Sequence, residues 1–399
     1  MKALRNYIDK IKPNFEKGGK LEMFRSVFDG FETFLFVPNS TSKTGVHIHD
    51  SIDSKRTMIV VVLALMPALL LGMYNVGYQH NLATGAMDTS CLMTFIYGAL
   101  AVLPKIIVAY VVGLGIEFAV AQVKNEEIQE GFLVSGILIP MIVPIDTPLW
   151  MIAVATALSV VFEKEVFGGT GYNIFNVAIV TRVILFFSYP AAMSGDKVFV
   201  RTADTFGIGG GTVVDGFSGA TPLGQIAVAS KENFAGVVDV INQPLTTMDY
   251  FIGLIPGSIG ETSVLAILIG AAILLFTGIA SWKTMVSVFV GGGLMAAIFN
   301  MVGTTVVMEV SPLDHLFLGG FAFGAVFMAT DPVTSARTET GKYIYGFLIG
   351  ALAIIIRALN PGYPEGMMLA ILFMNAFAPL IDFYVVEANI NKRLKRATK

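Results

Sequence analysis

Runs of apolar residues close to the length of a bilayer crossing recur along most of this chain. A helix needs about 20 predominantly apolar residues to cross the hydrocarbon core. About ten such segments are present, at 57–76, 92–121, 132–145, 149–165, 174–190, 263–281, 284–305, 314–330, 343–359 and 366–386. Because 55% of the residues are hydrophobic and only 14% are charged, the chain is more apolar than a soluble domain. We predict an all-α polytopic membrane protein.

The second segment, 92–121, is long for one helix and contains Pro104 and Lys105. Two structures fit it, namely a re-entrant piece followed by a span, or one kinked and tilted helix. The sequence leaves that choice open.

The distribution of basic residues predicts the orientation of the helices. Residues 1–56 are polar, mix both charge signs and contain no apolar segment of the kind found in signal peptides. A basic cluster follows the last segment and consists of Lys392, Arg393, Lys395, Arg396 and Lys399. Lysine and arginine accumulate on the cytoplasmic side of membrane proteins. We therefore expect both termini in the cytoplasm.

The residue types present exclude several kinds of site from this chain alone. Its single cysteine, Cys91, cannot supply a disulfide, an iron-sulfur cluster or a cysteine-based zinc site. The formal net charge of -3 gives no reason to expect nucleic acid as a partner. No GxGxxG or Walker-type loop opens a βαβ unit, so NADH is not expected to bind in the usual way.

Two stretches of the chain align with two later stretches in the same order. Residues 104–115, PKIIVAYVVGLG, align with 282–293, WKTMVSVFVGGG, and 132–146 align with 317–331. We infer two homologous units of five spans, and an odd number of spans per unit forces inverted topology. Chance alignment of apolar sequence is the alternative. The predicted parts are a cytoplasmic segment (1–56), a first repeat (57–190), an outer loop (191–262), a second repeat (263–386) and a basic tail (387–399).

Each predicted unit carries an aspartate at a helix break. These are Asp146 in IVPIDTP and Asp331 in MATDPVT. Proline lacks a backbone donor and disfavours helix in the residue before it, which frees carbonyl groups nearby. Freed carbonyl groups together with a carboxylate suit a small hard cation.

The longest loop, about 191–262, follows the fifth predicted span and is expected on the outer face. Loops of this length in compact proteins are usually functional. It contains GIGGG at 207–211, which is either a flexible loop or a backbone nest for phosphate. The sequence DGFSGAT then ends at Thr221.

DGFSGAT resembles the flavinylation sequence of the family formed by the B subunit of the sodium-translocating NADH:quinone reductase (Nqr) and the D subunit of the Rnf complex. Family-like stretches extend over nearly the whole chain and include 17–38, 164–176, 329–342 and 363–382. The first of these favours the Nqr type over the Rnf type, because Rnf chains begin close to their first span. Val177, where the family usually has proline, is a departure that bears on the geometry of that turn.

The resemblance implies FMN esterified through its phosphate to Thr221. The small residues Ser218, Gly219 and Ala220 would leave room for a flavin transferase, and Asp215 is placed to arrange the donor's metal-bound diphosphate. A noncovalent riboflavin in the bundle and a quinone acceptor, ubiquinone or menaquinone, are also implied. So is membership of a complex with Nqr subunits A, C, D, E and F in a bacterial inner membrane. No residue of this chain is assigned a catalytic role.

The resemblance also implies a sodium pathway. In the family, acidic positions matching Glu130, Asp331 and Asp382 are implicated in sodium uptake. On the predicted topology these three lie toward the cytoplasm, the side from which an exporter loads, whereas Thr221 lies on the opposite face.

Other polar residues have no assigned role. Two interpretations of Arg182 are open. It pairs with a flavin phosphate or an acid, or its side chain snorkels to the membrane interface or neutralises Asp146. His47 and His49 have the look of a metal pair but occupy a polar loop, so no metal is assigned there. Three glutamates near span ends are expected at the membrane interface, namely Glu117, Glu163 and Glu165.

Two other functions stay open at this point. An inverted five-span repeat resembles the urea-transporter architecture, so a solute channel is one alternative. An Rnf-type subunit with ferredoxin as the electron partner is the other. A fold does not by itself fix a function.

Overall fold

The computed structural model describes residues 2–16, 18–19, 21–36, 44–46, 54–86, 88–124, 131–232, 234 and 236–397. Within these ranges the chain is mostly helical and forms no strand beyond two isolated bridges in the outer loop. Two short helices, α1 (Lys2–Ile11) and α2 (Arg25–Leu35), precede the bundle. Buried Glu32 joins them, because its carboxylate accepts from Arg5 at 3.0 Å and from Lys12 at 2.8 Å.

The first half of the bundle contains both long and short helices. They are α3 (Ser54–Thr84), α4 (Cys91–Lys124), α5 (Phe132–Met141), α6 (Leu149–Ser159), α7 (Val177–Ser188) and α8 (Pro190–Met193). A π-helical turn, Val160–Glu165, continues α6. Helix α4 runs through Pro104 without interruption, so the predicted segment 92–121 is one helix and not a re-entrant piece.

The outer loop and the second half contain the remaining helices. They are α9 (Pro222–Val228), α10 (Thr247–Ile252), α11 (Val264–Phe276), α12 (Trp282–Val302), α13 (Val306–Glu309), α14 (Pro312–Phe317), α15 (Phe321–Phe323), α16 (Glu339–Leu359) and α17 (Met367–Ala397). A π-helical turn, Gly324–Met328, follows α15.

Five helices of the described chain are long and apolar enough to cross a membrane: α3, α4, α12, α16 and α17. Helices α5, α7 and α11 are apolar but shorter. The protein is therefore a multi-pass helical membrane protein, as the sequence predicted. Two predicted segments are not continuous helices. The segment 132–145 leaves its helix at Met141, ahead of Pro144, and 314–330 is interrupted at Gly319, whose φ of +63° suits glycine.

Glycines allow the long helices to approach closely at their crossings. A Cβ on Gly98 of α4 would lie 1.7 Å from the carbonyl oxygen of Met73 on α3. In the second half, a Cβ on Gly350 of α16 would lie 2.0 Å from the carbonyl oxygen of Val288 on α12. Lipid gives no hydrophobic driving force between helices, so their association depends on close packing, which small residues at such contacts permit. Larger side chains at either glycine would force the helices apart.

The two halves meet at their broken helices. The amide of Gly260, just before α11, donates to the carbonyl oxygen of Met141 at the end of α5, with an N···O distance of 2.8 Å. A Cβ on Gly260 would lie 2.6 Å from the Met141 side chain and 3.2 Å from Phe323. The rings of Phe323 and Phe327 lie 5.1 Å apart. All these apolar side chains are buried, so the centre of the molecule is closely packed.

Candidate functional site

Thr221 occupies the N-cap position of α9 in the outer loop. Its hydroxyl oxygen accepts from the amide of Gly224 at 3.1 Å, and Pro222 fills the first helical position. Both features are those of a favourable helix start. The side chain is half-buried, so the motif ends in a hydroxyl that is fixed in position and still accessible.

The residues before Thr221 pack closely against an earlier part of the loop. A Cβ on Gly219 would lie 2.5 Å from the carbonyl oxygen of Asp196, so this position tolerates only glycine without rearrangement. The Ser218 hydroxyl accepts from the amide of Ala220 at 3.4 Å. Asp215 is exposed at the start of the motif.

Gln225 joins the segment around Thr221 to a later part of the loop. Its side-chain amide donates to the carbonyl oxygens of Ala220 at 3.1 Å and Val238 at 2.8 Å, and its oxygen accepts from the amide of Val238. This glutamine was not identified from the sequence, since its partner Val238 lies 13 residues further along the chain.

A pocket adjoins Thr221 and leads toward the bundle. Its lining includes Thr221, Pro222, Leu223, Ser258 and Glu261 from the outer loop, and Glu365 from the second half. The two carboxylates belong to a buried ion-pair network. Arg182 donates to Glu261 at 2.6 Å and also pairs with Glu365.

Arg182 therefore does not neutralise Asp146, which was one of the alternatives for this residue. Asp146 pairs instead with Arg201 of the outer loop at 2.9 Å. The ammonium group of Lys105 donates to the neighbouring carbonyl oxygen of Thr147 at 2.6 Å. Arg182 lies elsewhere because α7 directs it toward Glu261, at the end of the outer loop, and Glu365, in the second half of the bundle.

A separate cavity contains Asp331. Its carboxylate accepts from the amide of Val333 at 3.0 Å, the hydroxyl of Thr334 at 3.1 Å and the side-chain amide of Asn176 at 3.1 Å. The cavity is also lined by Ser135, Asn176 and Thr330. The π-helical turn Gly324–Met328 directly precedes this segment, and such turns are frequent at functional sites. The arrangement offers a carboxylate and neutral oxygens to a small cation.

Asp382 lies on α17 and holds the segment between Asp331 and α16. It accepts from the amide of Arg337 at 2.7 Å, and from the amide and hydroxyl of Thr338 at 3.0 and 2.6 Å. Thr338 is the N-cap of α16. The structure thus brings Asp331 and Asp382 to opposite ends of one short segment.

Not every predicted residue can be placed. Glu130, the third acidic residue of the proposed sodium pathway, lies outside the described residues, as do His47 and His49. The glycine run at 207–211 packs on α3 and α4, where the amide of Gly210 donates to His80 at 3.2 Å. No phosphate nest is needed to explain that packing.

Two glutamates predicted at the membrane interface, Glu117 and Glu163, are buried within the protein. Glu117 on α4 is ion-paired with Lys164, which lies in the π-helical turn after α6. Glu163 in the same turn accepts from the amide of Phe175 at 2.6 Å. Glu165 agrees better with the expectation and lies 3.8 Å from Lys124. Sequence position near a span end does not reveal such partners, because they come from other helices.

The cavity at Asp331 and the pocket at Thr221 share no lining residue. Phe327 lines the cavity at Asp331, and Phe323 packs against Phe327 and near Gly260, the residue before Glu261. Buried apolar side chains therefore separate a candidate cation site from the threonine of the outer loop.

The model of the NQR2, RnfD, RnfE family matches residues 41–391. The chain belongs to this family. It is 45% identical to the B subunit of the Na(+)-translocating NADH-quinone reductase of Ectopseudomonas mendocina (strain ymp) over 418 aligned positions, covering 99% of both chains. The subunits of the same name from Azotobacter vinelandii and Chromohalobacter salexigens are 44% and 43% identical to it. These matches cover 99% of this chain and 99% and 97% of the relatives.

Proposed function

We propose that this chain is the membrane subunit of a sodium-pumping NADH:quinone oxidoreductase and carries FMN covalently on Thr221. It would pass electrons through flavins to quinone and help to move sodium from the cytoplasm to the outside. The observation that carries the proposal is the position of Thr221. It ends the motif DGFSGAT, is fixed by the Gly224 amide, and opens on a pocket away from the Asp331 cavity.

The residues around Thr221 fit a phosphoester. Thr221 is half-buried and borders a pocket. A bound flavin would supply the electron-transfer chemistry, while the protein supplies position and electrostatics. The cap on α9 and the Gln225 bridge hold the attachment point at a fixed place relative to the bundle.

The Asp331 cavity supports the sodium part of the proposal. Sodium needs oxygen ligands, and acidic residues within membrane segments are rare and often mark ion pathways. Ser135 and Thr330, two residues with hydroxyl groups, also line this cavity. The apolar residues between the cavity and the Thr221 pocket would prevent passive leakage, as a pump requires.

The remaining parts of the proposal concern topology and partners. We propose two inverted five-helix repeats with the urea-transporter architecture, in which the broken helices at Asp146 and Asp331 correspond. Both termini would be cytoplasmic in a bacterial inner membrane. The partners would be Nqr subunits A, C, D, E and F, with a flavin transferase during maturation. A noncovalent riboflavin and the quinone would bind within the same complex.

The two alternatives are less well supported. The relatives described above all carry the name of the B subunit of the Na(+)-translocating enzyme and match this chain from end to end, including the residues before α3. That agreement favours Nqr over Rnf. A solute channel needs a continuous pathway, whereas Gly260, Met141 and Phe323 are packed against one another at the centre.

The test is a denaturing gel of the purified complex, viewed under ultraviolet light before staining. A fluorescent band at the mass of this subunit is expected in the wild type and should be lost in Thr221→Ala. The matched control is Thr212→Ala, an exposed threonine of the same loop, which should keep the band. A dark band in the wild type, produced with the transferase present, would contradict the proposal.

A further inference from the structure

The ion-pair network beside Thr221 has an unequal distribution of charge. Glu261 and Glu365 both line the pocket that Thr221 borders, whereas their partner Arg182 does not. The side chain of Arg182 is only 2% exposed and that of Glu261 3%, against 19% for Glu365. The carboxylates therefore face the pocket and the guanidinium group lies behind them.

A second buried arginine, Arg357, contacts the backbone of Glu365. Arg357 is fully buried and donates to the carbonyl oxygens of His315 at 2.6 Å and of Glu365 at 3.3 Å. Like Arg182, it is not part of the pocket lining. Two guanidinium groups and two carboxylates give no net formal charge, but the negative side of the network is directed at the pocket.

We propose that Glu261 and Glu365, with Arg182 behind them, set the reduction potential of the flavin attached to Thr221. This inference rests on the function proposed above and assigns these residues a role in it. Reduction brings electrons to the flavin ring system. A nearby carboxylate disfavours that change and a nearby guanidinium favours it, and both effects are strong where water is excluded.

The network also connects the two halves of the molecule. Arg182 comes from α7 in the first half, Glu261 lies at the end of the outer loop just before α11, and Glu365 precedes α17 in the second half. A change in charge at Thr221 would alter the balance between Arg182 and its two carboxylates. The charge of the flavin would thereby alter the ion pairs that join the two halves. A movement of the halves would in turn alter the reduction potential of the flavin.

Glu365→Gln is the most informative variant. The amide keeps the size of the side chain and removes one negative charge, and Glu365 is the most exposed member of the network, so the fold is expected to tolerate it. We expect the midpoint potential of the Thr221 flavin to rise. Glu365→Asp, which restores the charge, should return the potential toward the wild-type value.

The matched control is Glu309→Gln. Glu309 also forms an ion pair, with Lys231 at 2.6 Å, but it does not line the pocket. It should leave the potential unchanged. Arg182→Lys keeps the positive charge and should shift the potential less than Arg182→Gln, which should lower it. If Arg182→Gln does not assemble, the Glu365 pair of variants still decides the question.

The measurement is a spectroelectrochemical titration of the purified complex. The transition that is absent in Thr221→Ala identifies the flavin in question. A rise in Glu365→Gln, reversed in Glu365→Asp and absent in Glu309→Gln, supports the inference. An unchanged or lowered potential in Glu365→Gln, with the fluorescent band retained, overturns it. A wild-type subunit without the band would instead contradict the proposed function, so the two failures are distinguishable.

Discussion

The helix breaks at Asp146 and at Asp331 occupy aligned positions in the sequence, yet their carboxylates have different surroundings. Asp146 is paired with Arg201 at 2.9 Å, and the ammonium group of Lys105 is bound to the next carbonyl, that of Thr147. Its negative charge is therefore balanced by the protein itself.

Asp331 has only neutral hydrogen-bond partners in the described part of the chain, namely Val333, Thr334 and Asn176. Lys164 lines the same cavity but is ion-paired with Glu117. Hydrogen bonds from neutral donors stabilise a carboxylate without cancelling its charge. The two aligned breaks thus differ in charge balance: Arg201 pairs with the first carboxylate, and the second is the one that we propose for a mobile cation.

The largest predicted effect concerns the charge at Asp331. Asp331→Asn should weaken the apparent affinity for sodium by on the order of tenfold or more, equivalent to about 1.4 kcal/mol, because it removes the unbalanced carboxylate. Asp146→Asn is the matched control and should leave sodium dependence unchanged. The measurement is the sodium dependence of quinone reduction by the complex. Equal effects of the two variants would remove the distinction between the breaks.

A smaller effect is expected for Asp382→Asn. Asp382 binds the amides of Arg337 and Thr338 and reaches the cavity only through the segment that begins at Asp331. We predict a loss of apparent sodium affinity of roughly threefold, or about 0.7 kcal/mol. Because both aspartates hold one segment, the double variant should be less than additive. Strict additivity in the same assay would show that they act independently, and no effect in either single variant would reject the pathway.

The smallest effect is expected at the helix break that contains Asp146. Arg201→Met removes the partner of Asp146, and both side chains are partly exposed. Ion pairs of that kind contribute roughly 0.2–1 kcal/mol, so thermal unfolding of the complex should shift only slightly. Sodium dependence should not change. A marked loss of sodium affinity in Arg201→Met would indicate a cation site at Asp146 and would contradict its assignment to Asp331.

The helices were largely readable from the sequence because apolar runs of sufficient length have few other structures available in a membrane. Each of the predicted segments contains helix, and α4 passes through Pro104 as one helix. The helix start at Thr221 was not predicted, although threonine followed by proline suits an N-cap. What the pattern did not show was where apolar runs break, as at Gly319 and in the π-helical turn Gly324–Met328.

Charge pairing was the part that sequence reasoning could not supply. Arg182 finds Glu261 and Glu365 at separations of 79 and 183 residues, and nothing local indicates either partner. The same holds for Glu117, which was expected at the interface and is buried against Lys164. Such partners are determined by how the helices pack, so the candidate site became complete only when both halves were placed together.

The central claim is that Thr221 carries the flavin, and peptide mass spectrometry of this protein from the native complex tests it most directly. We predict that the peptide containing DGFSGAT is heavier by one FMN less one water, with fragment ions that assign the addition to Thr221. An unmodified Thr221 in material matured with an active flavin transferase would contradict that claim.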